Sequence, residues 1–306
     1  MSDWHAVEAI DEALEDTKEM LLPFDLGTWT KLAVIAVLAG GVGAPNFFMP
    51  GGYSDGHDGN TEMNTQDFGM TGAFMTGSSL QASIAVAAVL ALVGLVFLIF
   101  YISSVFEFIY YRSLLDGEAH IRRYFSQNTG RGLSYFGFRL AAGLVVLLGV
   151  LAVIGVSFVT PLFLLPALLV GLPLLLAFGV FMTLVHDFAL VDMLRNDSSM
   201  LEAVTKVLEA ARDDWRQFGL YVVLKFFIAA IVGVATFLFA IFSLLFLAIP
   251  FVILGIAAST VFKPLIIPVI IAGVLTWVIG MIYIVTVPAK TFTYFYALDV
   301  YSRLFE

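Results

Sequence analysis

The sequence predicts an all-α fold: a polytopic transmembrane helix bundle of six spans, with two amphipathic interfacial helices on the cytoplasmic side. Three observations carry that expectation. Of 306 residues, 60% are hydrophobic and only 13% charged, with a mean hydropathy of +0.98, and a soluble domain of that composition lacks polar surface to cover itself. The apolar residues gather in runs of the length, about 20 residues, that a helix needs to cross about 30 Å of hydrocarbon. The basic residues, finally, fall almost entirely on one side of the topology those runs imply.

Taken in order, the first 26 residues carry eight acids and one lysine. They offer no basic leader region and no small-residue cleavage site, so the first span is expected to stay in the mature chain. Val7, Ile10, Leu14 and Leu21 recur at helical spacing, which predicts an amphipathic helix over 5–22. Spans follow at about 28–44, 80–111, 137–160 and 162–186, with 45–79 as an extracellular loop. The third and fourth form one apolar stretch, split around Ser157–Pro166 because Pro161 and Pro166 lack amide donors.

A charged segment then interrupts the apolar chain. "SMLE", Ser199–Glu202, has the form of a capping box and predicts a helix start. Leu201, Val204, Leu208, Ala211, Trp215 and Phe218 recur every three or four residues, with Glu202, Lys206, Glu209, Arg212 and Asp213 opposite. The expectation is a second amphipathic helix, 199–216, lying flat beneath the headgroups with Trp215 at the interface. The run from 217 to 300 holds two long spans or three short ones. Two are expected, 217–249 and 266–290, because Pro250, Lys263, Pro264 and Pro268 gather between them. "PFVILGIAASTVF" becomes an interfacial or membrane-dipping connection, and seven spans is the alternative.

On the six-span topology fourteen of the fifteen basic residues share one side and Lys263 alone lies on the other. Lysine and arginine are retained cytoplasmically during insertion, so both termini and the segments 112–139 and 187–216 are expected inside. The "NDS" at Asn196 is then cytoplasmic and stays unglycosylated. The net charge of −9, with nine arginines and six lysines, matches surfaces adapted to high salt, where repulsion is screened within about 3 Å.

Internal echoes accompany this plan. "FEFIYYRSLL" from 106, "HDFALVDMLR" from 186 and "FYALDVYSRL" from 295 place acids and arginines among aromatics at the inner ends of the even-numbered spans. Trp29 with Lys31 enters the first span much as Trp215 with Arg216 enters the fifth. A threefold repeat of amphipathic segment, span, link and span explains both, as does convergence of helix ends.

"ALVDML", a polar turn and "LEAVTKVLEAARDDWRQFG" leading into a new span resemble uncharacterised haloarchaeal six-span membrane proteins. More distantly, the architecture is similar to the membrane region attached to some bacterial glycerophosphodiester phosphodiesterases. In those enzymes catalysis belongs to a separate barrel domain, and nothing here corresponds to it. No catalytic residue carries over, and the resemblance implies a membrane module of unassigned biochemical role.

The chemistry readable in the chain is correspondingly thin. There is no cysteine, and the four histidines at 5, 57, 120 and 186 form no metal pattern. The loop acids Asp55, Asp58, Glu62 and Asp67 miss the calcium-loop spacing, since His57 and Gly59 take ligand places. Walker, nucleophile-elbow and zinc-protease motifs are missing too. No catalytic, cofactor-binding or metal site is assigned, and no cofactor. The candidate site is a polar cluster at the cytoplasmic edge: Glu107, His186, Asp187, Asp192 and Lys225, with Lys225 paired to Glu107 or Asp187.

These features favour a non-enzymatic scaffold, assembly or lipid-interacting module in the cell membrane. Its expected partners are membrane lipids and a protein at the cytoplasmic face, not nucleic acid. A channel or carrier for a neutral or lipidic solute is the alternative, with Gly171, Pro173 and Gly179 loosening the fourth span. An enzyme acting on lipid headgroups through Glu107, Asp187 and Asp192 ranks third.

Overall fold

The computed structural model describes residues 5–41, 79–159, 164–261 and 266–305, and all regular structure among these residues is helical. The expected outer loop, with Asp55, His57, Asp58, Glu62 and Asp67, lies outside the described residues, as do Pro161, Lys263 and Pro264.

Helix α1 is His5–Leu21 and α2 is Leu26–Ala36. Asp25 caps α2, its carboxylate accepting the Thr28 amide at 2.8 Å. The turn Val37–Gly41 leaves helical geometry at Ala39, and Gly40 takes φ 85°, a left-handed value open to glycine. Helices α3, Ser79–Leu115, and α4, Ile121–Val159, are joined by a short turn with Gly117 at φ 66°. After α5, Leu164–Leu184, a π-helical turn over Val185–Ala189 runs into the short α6, Leu190–Arg195. The capping box is present: the Ser199 hydroxyl accepts the Glu202 amide and the Glu202 carboxylate accepts the Ser199 amide at 2.9 Å, starting α7, Met200–Asp213. Helix α8 is Trp215–Val261, α9 is Ile266–Met281, and a second π turn, Ile282–Thr286, leads into α10, Val287–Phe305.

Five helical stretches are long and apolar enough to cross a membrane: Ser83–Leu115, Ile121–Val156, Leu165–Arg195, Trp215–Ala257 and Ile266–Phe305. The shortest has 31 residues, which at 1.5 Å per residue is about 47 Å, well beyond the roughly 30 Å of a bilayer core. The surplus length is used at one end. There the last turns of α3, the α5–α6 junction, α10, α1, α2, α7 and the first turns of α8 form a single core, with Phe108, Tyr110, Tyr111, Phe188, Tyr221, Tyr296 and Tyr301 fully buried. Towards the other end the same helices expose their leucines, valines and phenylalanines, from Leu90 on α3 to Phe246 on α8.

From the packed end outward, neighbouring helices run as hairpins. The α3–α4 pair closes at Gly132, where a Cβ would lie 2.4 Å from Val105 Cγ2 and 2.8 Å from its Cα, so only glycine permits this approach. Rings at Tyr101 and Phe136 meet edge-on nearby, 6.1 Å apart. In the α8–α9 pair Trp277 Nε1 donates to Ser243 Oγ at 3.0 Å, and Gly273 faces the Phe251 ring.

The first span, 28–44, is described only to Gly41, with Leu32, Ile35, Ala36 and Ala39 buried in the packed end, and 42–44 lie outside the described residues. Three expectations change. The chain does not break at Pro250; α8 continues through it to Val261, so the 250–264 connection is largely helix. One lost amide donor leaves the rest of that hydrogen-bond ladder in place. On α1, Ala6, Ala9, Ala13, Thr17 and Leu21 are buried while Val7 and Leu14 are exposed. On α7 the buried face is Met200, Ala203, Val204 and Val207, and Leu201 and Leu208 point outward. Both seams use small side chains, which let one backbone approach another closely. Hydrophobic periodicity followed the bulkier residues instead. Between 217 and 300 the described residues hold two long apolar helical stretches, Trp215–Ala257 and Ile266–Phe305.

Candidate functional site

His186 and Asp187 lie in the π turn, where the ladder is widened by a residue, a local form often found at functional positions. Both side chains face the core. His186 presents Nε2 to Glu107 Oε2 at 3.3 Å and Nδ1 to Asp187 Oδ1 at 2.9 Å, so one imidazole bridges two carboxylates. Glu107, on α3, also accepts the Tyr294 hydroxyl from α10. Asp187 accepts the Tyr221 hydroxyl at 2.7 Å and the Lys225 ammonium, both from α8.

Lys290 extends the network to α2. Its ammonium donates to the carbonyls of Ala36 at 3.1 Å and Ala39 at 2.8 Å, capping the negative end of that helix. It lies 5.5 Å from the ring centres of both Tyr110 and Tyr294 and acts on Glu107 through space. Tyr110 donates to Thr291 at 2.9 Å, because the Thr291 hydrogen is already given to Val287 O. The rings of Tyr111, Tyr135 and Tyr294 stand around His186, and the Tyr111 hydroxyl is buried with no hydrogen-bond partner among the described residues.

Of the five residues expected to cluster, Glu107, His186, Asp187 and Lys225 come together, with Lys225 on Asp187 rather than Glu107. Asp192 stands apart, in a network of its own. Its carboxylate accepts from Lys206, Ser198 at 2.6 Å, Asn196 at 2.6 Å and Tyr301 at 2.7 Å, tying α6 to α7 and α10. A third link joins the chain ends, where Arg303 donates to Glu8 at 2.6 Å and Glu12 at 2.9 Å.

Sequence reasoning missed Tyr111, Tyr221 and Tyr294, and left Lys290, a charge at an inner helix end, out of the cluster. Tyrosines in a 14% aromatic chain carry no positional signal, and Lys290 reads as an ordinary interfacial lysine. The run "FEFIYYR" was the available hint, since paired tyrosines beside a glutamate are costly on a lipid-facing surface.

Chemically the site is saturated. Each carboxylate already accepts from two or three donors, and a buried network satisfied in this way holds its geometry and offers no free base. Among the described residues no group of three or more His, Asp or Glu side chains is arranged to hold a metal. A hollow of about 450 Å³ lies between α8 and α9 and is apolar, lined by Leu244, Phe251, Ile270, Gly273 and Trp277. It does not reach the charged cluster.

A family of unknown function, DUF7544, matches residues 4–305. No curated protein and no solved structure matches the chain.

Proposed function

The chain belongs to that family of unknown function, and from this premise we propose that it is a non-enzymatic membrane module: a scaffold, assembly factor or lipid-organising partner. One observation carries the reading. The most apolar 18-residue stretch of each long helix is between 0% and 18% buried. Helices so little packed on each other present their flanks to lipid or to other membrane helices, while the packed end keeps them rooted. A carrier requires a polar path between helices, whereas here the intramembrane-edge charges are consumed by one another.

The topology we propose has six crossings with both termini cytoplasmic. The contact of Arg303 with Glu8 and Glu12 supports ends on a common side. Arg112, Arg122, Arg123, Arg131, Arg195, Lys206, Arg212 and Arg303 all belong to the packed end, which supports its being inside. The exposed Leu201, Leu208 and Trp215 on and beside α7, and Val7 and Leu14 on α1, are the residues through which these helices would touch the headgroup layer. The acidic outer face of α1, with Glu8, Asp11, Glu12, Glu15 and Glu19, supports a high-salt setting.

The test is extraction into lipid particles without detergent, beside reconstitution in liposomes. A membrane protein or lipid class recovered in fixed ratio, with no solute movement, is the expected result. A lone protein that moves a solute across the liposome wall contradicts the reading.

A further inference from the structure

Arg139 is the first charge met on α4 from its apolar end, and the twenty residues beyond it, Leu140–Val159, contain none. Twenty helical residues cover about 30 Å, one hydrocarbon thickness. Arg139 therefore stands at the level of the lipid headgroups on the packed side. Lys225 on α8 and Lys290 on α10 are likewise the charges nearest the apolar ends of their helices.

The guanidinium is half-buried, 5.4 Å from the Tyr135 ring centre and 6.0 Å from that of Phe100. Among the described residues it has neither a hydrogen bond nor an ion pair; its contacts are these two rings. The carboxylates nearest in the network are already committed, Glu107 to Tyr294 and His186, and Asp187 to Tyr221, Lys225 and His186. Lys290, over the rings of Tyr110 and Tyr294, adds a further positive charge to that network. The network behind Arg139 holds Lys225, Lys290 and His186 together with the two carboxylates Glu107 and Asp187. A guanidinium with aromatic walls, a fixed fork of donors and no counter-charge selects a planar or tetrahedral oxyanion. At headgroup depth that oxyanion is a lipid phosphate. The ring of Tyr135 is buried beside it, and its hydroxyl makes no hydrogen bond among the described residues.

We propose that Arg139, backed by Tyr135 and Phe100, binds the phosphate of an anionic phospholipid at the boundary between α3 and α4. This rests on the reading of the protein as a lipid-interacting module and names the lipid class. The experiment uses the full chain in nanodiscs of phosphatidylglycerol or phosphatidylcholine, with native mass spectrometry of the lipids retained after stripping. The native protein is expected to keep phosphatidylglycerol in preference to phosphatidylcholine. Arg139→Gln is expected to lose about tenfold in that retention, the loss expected for one charge-assisted contact. Arg139→Lys should keep most of it, and the exposed Arg122→Gln should keep all of it.

A melting temperature of the native protein that rises with phosphatidylglycerol content and not with phosphatidylcholine supports the proposal without any variant. Equal retention of both lipids by the native protein, or undiminished retention by Arg139→Gln, overturns it. Protection by inorganic phosphate alone, as strong as by the lipid, also overturns it, since the site would then serve a soluble anion. A partner still recovered with an unselective protein would remove this inference and leave the scaffold reading intact.

Discussion

Asp187 ties three elements of the packed end together, because its two oxygens serve His186, Tyr221 and Lys225 at once. Removing one member of a buried pair leaves the other charge uncompensated, typically at a cost of about 3–5 kcal/mol. Asp187→Asn is therefore expected to lower the melting temperature strongly in nanodiscs, and adding Lys225→Met should recover much of the loss. Native-like melting of the single variant would show that the pair holds nothing. The caps respond to pH. Glu202 lies below its ordinary 4.5 because the Ser199 amide donates to its charged form, and Asp25 lies below 3.8 because the Thr28 amide does the same. Their contribution is complete above those ordinary values and is lost as pH falls through the lowered ones. Asp16 goes the other way: burial, then Glu12, Glu19 and Glu15, raise it above 3.8, so the seat of α1 weakens as pH rises through the raised value. Acid titration followed by amide exchange should open the start of α7 before the α1 seam, and Glu202→Gln should remove the acid-sensitive step at α7. Simultaneous opening would contradict this assignment.

Elements were legible where composition alone decides and obscure where partners decide. The long apolar helices follow from run length, and the start of α7 from Ser199 and Glu202, since both are local properties. The buried faces of α1 and α7 are not local. Val7 and Leu14 fit a hydrophobic stripe, yet α10 receives the alanines beside them, because its buried Tyr296, Ala297 and Val300 present a surface that small residues fit closely. Glu107, His186, Asp187 and Lys225 stood out as charges in apolar surroundings, whereas the partnership of Glu107 with Tyr294 spans 187 residues and has no local trace. Close approach also sets the α3–α4 crossing. Gly132→Leu must push Val105 and its backbone away, an overpacking expected to cost about 1–3 kcal/mol. The check is a lowered melting temperature together with loss of an α3–α4 cross-link at Tyr101 and Phe136; an unaltered cross-link would show that the helices do not meet at that glycine.

At the scale of the whole molecule the polar contacts and the apolar surface are separated. Glu107, Asp187 and Asp192 sit within one compact end, and the bare helices extend from it. Such a division suits a protein whose partners approach laterally in the lipid, with the packed end fixing the angles between its hairpins. The groove between α8 and α9 is apolar, and the charged cluster lies away from it. The chain lacks cysteine, so single reporters can be placed cleanly. Glu15→Cys on α1, Glu118→Cys between α3 and α4, and Asp197→Cys between α6 and α7 all lie on exposed parts of the packed end. Labelled with a membrane-impermeant maleimide, all three should stay unmodified in intact cells and react in inverted vesicles. Modification of any one of them from outside intact cells would contradict a single packed, cytoplasmic end.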